Sequence, residues 1–173
     1  MITRLKSCFV TPLAIFAILA LSLASTPAAR AQSEQSANGL TGAWWVTVSV
    51  FDCSTLVSKG RFTSMLLFSR GGTLTETTSN PAFLPGQRSV GFGTWALNGD
   101  GTYSASDLAF ILFAGGAGPA QFQPGTQKLT HTITLNGDAS QWTDRATVDF
   151  YTVAGAPIAP MHACATASAT RIP

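Results

Sequence analysis

The sequence predicts an all-β protein: a single eight-stranded antiparallel up-and-down barrel, preceded by a signal peptide. Apolar and polar residues alternate with period two in segment after segment beyond residue 40, while helical periodicity is almost absent. Turn residues punctuate these segments, most clearly Arg70-Gly71-Gly72, Asn98-Gly99-Asp100-Gly101 and Asn136-Gly137-Asp138. An open meander of this length exposes two strand edges, and closing it into a cylinder removes both.

Residues 1–31 read as an export signal. Arg4 and Lys6 give a positive start, an uncharged apolar stretch of about 16 residues follows, and Ala29-Arg30-Ala31 offers a small-x-small cleavage site before Gln32. The stretch is shorter than the ~20 residues a membrane-spanning helix needs. Cys8 precedes it, which argues against a lipoprotein. Residues 32–40 are expected to be a disordered mature N-terminus, and 41–173 the barrel domain. The expected location is secreted or periplasmic, with contact to membrane only through the signal.

Removing the leader alters the charge argument. Ten basic residues less the three in the leader leave seven, against eight acidic ones, a net charge of −1. No basic cluster remains, so nucleic acid is not an expected partner. Cys53 and Cys164 survive cleavage, and two cysteines in an oxidising compartment pair most simply with each other. The loop they close, about 110 residues, corresponds to roughly 4 kcal/mol or more in the chain-entropy picture.

The expected strands cover 43–51, 61–69, Thr73–Thr78, 91–98, 102–114, 126–135, 141–153 and 158–172. In the first, Trp44, Val46, Val48 and Val50 share a face; in the sixth, Leu129, His131, Ile133 and Leu135 do; in the eighth, alanines alternate with Cys164, Thr and Ser. If Cys53 lies opposite Cys164, facing positions on the first and last strands sum to 217. Val46 then faces Arg171, with apolar faces together and both cysteines on the Thr/Ser face.

Gly42-Ala43-Trp44 resembles the Gly-x-Trp that opens the first strand of calycins, the lipocalin and fatty-acid-binding superfamily, and Arg171 resembles the basic residue that packs across that tryptophan. A second Gly-x-Trp stands at Gly93-Thr94-Trp95. The resemblance implies that Trp44 and Arg171 close one end of the barrel, a contact worth ~0.5–2 kcal/mol. It extends to secreted bacterial barrels similar in shape to allene oxide cyclase.

Candidate chemistry is sparse. His131 falls on an inward face, as a core histidine or as a ligand contact. Asp107 interrupts the apolar pattern of the fifth strand; facing inward, it could pair with His131. Tyr103, Trp95, Phe110 and Arg88 complete the candidate ligand-binding set, Arg88 from a Pro/Gly-rich loop where it could attract an anion. His162 falls on the Thr/Ser face. Two histidines on opposite faces and one disulfide leave no convergent metal trio, no Gly-x-Ser-x-Gly elbow is present, and no cofactor is expected. The leading expectation is a non-catalytic barrel binding a small apolar molecule. The alternatives are an isomerase or cyclase of the allene-oxide-cyclase type using His131, Asp107 and Tyr103, and a small outer-membrane barrel.

Overall fold

The computed structural model describes residues 39–112 and 125–173. The expected signal peptide with Cys8, most of the expected N-terminal tail (32–38) and residues 113–124, which include the end of the expected fifth strand, lie outside the described residues. Eight strands follow in chain order: β1 (Gly42–Phe51), β2 (Ser58–Ser69), β3 (Thr73–Thr78), β4 (Gly91–Leu97), β5 (Tyr103–Ile111), β6 (Gly125–Leu135), β7 (Gln141–Thr152) and β8 (Ala163–Arg171). Each pairs with its sequence neighbour, and β1 pairs with β8, so the sheet closes on itself. The last strand is shorter than 158–172, because a 3-10 turn containing Pro160, which has no N–H to give the ladder, occupies Ala159–Met161.

The closing seam differs in register from the expectation. Trp44 faces Arg171, Val46 faces Ala169 and Phe51 faces Cys164, so facing positions sum to 215 rather than 217. Cys53 is not on β1. It sits past the strand end in a turn where Asp52 Oδ1 accepts the backbone N–H groups of Ser54 (3.1 Å) and Thr55 (3.0 Å). That turn carries its sulfur sideways to Cys164, with the Cα atoms 5.0 Å apart. The slip is two residues, so every side chain keeps its predicted face.

One end of the barrel is solid. Trp44, Phe68, Tyr103, Ile133 and Trp142 are fully buried there, joined by Leu74 and Trp95. Trp44 packs on Trp142 with centroids 6.0 Å apart, Phe68 meets Trp95 edge-on at 6.0 Å, and Trp95 lies 5.9 Å from Tyr103. Such pairs add ~0.5–1.5 kcal/mol each beyond area burial. Leu40, placed by the sequence in the disordered tail, is fully buried beneath this layer, and its carbonyl accepts the Trp44 indole N–H at 2.8 Å. Arg171 seals the end. Its guanidinium lies 4.2 Å over the Trp44 ring and donates to the carbonyls of Gly39 (2.7 Å), Thr41 (2.8 Å) and Ala139 (3.0 Å). The second Gly-x-Trp works alike: Trp95 Nε1 donates to the carbonyls of Ser69 (3.1 Å) and Thr73 (3.0 Å).

Candidate functional site

The other half of the barrel is hollow. A cavity of about 140 Å³ begins at Trp142 and Leu66 and runs toward the end that carries the disulfide. Its two sides differ in chemistry. Val46, Val48, Phe62, Val148, Phe150 and the alanines of β7 and β8 form an apolar wall, while Ser64, Glu76, Gln127, His131 and Asp144 supply polar groups.

Strand geometry gathers these polar groups into a belt. His131 on β6 faces Ala105 of β5 and Ala146 of β7, which leaves Asp107 and Asp144 as its diagonal neighbours. Its Nδ1 donates to Asp144 Oδ2 at 2.6 Å and its Nε2 to Asp107 Oδ1 at 3.2 Å. Asp144 is itself fixed, because Oδ1 accepts the Thr132 backbone N–H at 3.1 Å. On the far side, Glu76 of β3 accepts from Ser64 at 3.2 Å and pairs with Arg88 Nη1 at 2.7 Å. Arg88 Nε donates to Gln127.

Between the two halves of the belt stands β4, whose inward positions there are Gly91 and Gly93. Gly91 faces Glu76 and Gly93 faces Asp107. A Cβ at Gly91 would lie 2.5 Å from Asp107 Oδ2 and 3.3 Å from Glu76 Oε2; at Gly93 it would lie 2.6 Å from the Asp107 Cα. Glycine at both places is what lets two carboxyls from β3 and β5 face the same gap.

The belt holds three carboxyls and two cations, Glu76, Asp107 and Asp144 against Arg88 and His131, all buried. Burial works against a charge on His131, but its bonds to Asp107 and Asp144 outweigh that and push its pKa up to about 10. Both ring nitrogens then carry protons, as two carboxylate acceptors require. Burial raises the Glu76 carboxyl; Arg88 opposes the rise and the charge of Asp107 adds to it.

Of the sequence candidates, His131 lines the cavity and Asp107 stands directly behind it. Arg88 is not a solvated cation at the mouth: it turns inward and is buried against Glu76 and Gln127. Trp95 and Tyr103 belong to the solid end, away from the cavity. Phe110 is 52% exposed on the outer surface, because Asp107 and Ala109 take the inward positions of β5. Glu76, Gln127 and Asp144 were missed, although parity marks each: Glu76 shares a face with Leu74, Gln127 with Leu129, and Asp144 with Trp142 and Ala146.

A second cluster lies outside the cavity. Cys53, His162 and Cys164 bring their donor atoms within 4.8 Å of one another at the rim. Both sulfurs are bonded to each other, which removes the thiolates a metal would need. Comparison of the chain with family models, with curated proteins and with solved structures returned no match. The closed eight-stranded antiparallel barrel fits a calycin-like fold in general.

Proposed function

We propose that this chain is an exported, lipocalin-like binding barrel for one small, mainly apolar molecule that carries a polar group. The observation that carries this reading is the two-sided cavity: hydrocarbon on β1, β2, β7 and β8, and a fixed row of polar groups opposite. Its volume of about 140 Å³ sets the scale of the ligand. A void of about 150 Å³ accommodates benzene, so a compound with a single ring fits and a long fatty chain does not. The Cys53–Cys164 bridge accords with an oxidising compartment.

Turnover is less well supported than binding. The isomerase alternative relied on His131, Asp107 and Tyr103, but Tyr103 lies in the solid end and both His131 nitrogens are held by carboxylates. A spanning barrel is also less well supported. Membrane barrels turn apolar residues outward and polar ones inward. Here the aromatic layer is inside, and the outer faces of β6 to β8 carry Thr130, Thr132, Arg145, Thr166, Ser168 and Thr170.

Trp142 forms part of the cavity wall, so its fluorescence reports on occupancy. Phenol and benzyl alcohol, titrated against the purified protein, should quench it, and native mass spectrometry should show a one-to-one complex. Ala165→Leu, which fills the cavity from β8, should abolish the response and leave the barrel folded. If none of these compounds binds, and protein taken from its own host carries nothing, the reading is wrong.

A further inference from the structure

The disulfide is accompanied by chemistry that a passive cross-link does not need. His162 Nε2 lies 3.2 Å from Cys53 Sγ, and His162 Nδ1 lies 2.7 Å from Asp149 Oδ1. A disulfide sulfur and a carboxylate oxygen can only accept hydrogen bonds. Nδ1 faces Asp149 and Nε2 faces the sulfur, so the ring that Asp149 holds is aimed at Cys53. The cluster sits at the rim, with the His162 side chain 46% exposed and both cysteines half-buried. Of the other charged groups, Lys128 faces Asp149 across the β6–β7 ladder, and Asp52 and Lys59 are paired with each other at 3.4 Å. Asp52 Oδ1 is further occupied by the turn that holds Cys53.

We propose that Cys53–Cys164 is a thiol–disulfide exchange site, in which Cys53 is the departing thiolate, His162 stabilises it, and Asp149 holds the imidazole in place. The co-reactant is an external thiol. Its thiolate sulfur forms a bond to Cys164 Sγ, the Sγ–Sγ bond breaks, and the electron pair leaves on Cys53 Sγ, the sulfur 3.2 Å from His162 Nε2. A second thiolate then attacks the incoming sulfur, releasing Cys164 as thiolate and the oxidised co-reactant, so that two electrons in all pass to the protein. Exchange favours the leaving sulfur with the lower proton affinity, and a hydrogen bond from the His162 ring to the departing sulfur lowers that of Cys53 but not equally that of Cys164. Asp149 acts through His162 and is a positioning residue. The site is independent of the cavity and of any ligand there.

The test uses the intact, oxidised chain with 2-mercaptoethanol at pH 6.5, quenched at intervals with iodoacetamide and read by peptide mass. Early time points should show alkylated Cys53 with the probe still attached to Cys164. His162→Gln should slow opening about tenfold and Asp149→Asn by a smaller factor, while the thermal midpoint of the oxidised His162→Gln protein stays at the parent value. Opening of His162→Gln at the parent rate, or release of Cys164 first, would overturn the proposal. Single thiols give a check that does not depend on the bridge. Cys53 in Cys164→Ala should react with iodoacetamide at least ten times faster at pH 6.5 than Cys164 in Cys53→Ala; equal rates would overturn it as well.

Discussion

His131 and Arg88 are the two cations that make a buried acidic belt tolerable, and each is held by more than one partner. Removing one member of such a pair is costly because the other is left charged without compensation. Arg88→Met keeps most of the side-chain volume and removes only the charge and its donors. We expect it to cost about 3 kcal/mol at pH 8, measured by urea unfolding. The cost should be smaller at pH 5 than at pH 8, because burial favours the protonated Glu76 carboxyl, which needs no charged partner, and acid favours it further. Equal losses at both pH values would show that Arg88 acts through packing alone. Arg88 also marks the limit of sequence reading at this scale. It comes from the irregular stretch between β3 and β4, where no periodicity assigns a face. Asp107 and His131 were legible as a pair because both sit on alternating strands.

At the scale of single elements, the two hairpin turns β4–β5 and β6–β7 are near copies. Asn98-Gly99-Asp100-Gly101-Thr102 and Asn136-Gly137-Asp138-Ala139-Ser140 both close with an aspartate Oδ1 that accepts the backbone N–H two residues on, at 3.0 Å in each. Apart from Thr102 against Ser140 they differ at one position: Gly101 has φ 83°, and Ala139 has φ 56° in its place. An alanine in the left-handed region is strained by about 1–2 kcal/mol, partly offset by its smaller loss of chain entropy on folding. Ala139→Gly should therefore stabilise the protein by up to about 1 kcal/mol. The carbonyl that receives Arg171 is unaffected, since it belongs to the backbone. A lower denaturation midpoint for this variant would contradict the account. These turns and the strands they join were readable from composition and alternation, whereas the seam between β1 and β8 was not. Its register was inferred from cysteines assumed to lie opposite each other, and Cys53 belongs to a turn, not to the ladder.

For the whole molecule, the buried charges set how stability varies with pH. His131 has a folded pKa of about 10 against an ordinary 6.5. A group raised on folding contributes stability that is complete below its unfolded value and is lost as pH climbs toward its folded one. The His131 contribution is thus full below pH 6.5 and declines up to about pH 10. Glu76 acts in the same direction, because ionising it in the folded state is opposed by burial. The turn aspartates Asp52, Asp100 and Asp138 act oppositely. Hydrogen bonds from their turn partners hold them below the ordinary 3.8, so their contribution is present above that value and lost on further acidification. Stability should peak in mildly acidic solution, between roughly pH 4 and 6.5, and fall steadily to pH 10. Thermal unfolding of the oxidised chain across pH 3 to 10 measures this, and His131→Gln should flatten the alkaline limb while leaving the acid limb unchanged. A midpoint that rises between pH 6 and 9 in the parent protein would mean that His131 is not held as a cation between Asp107 and Asp144.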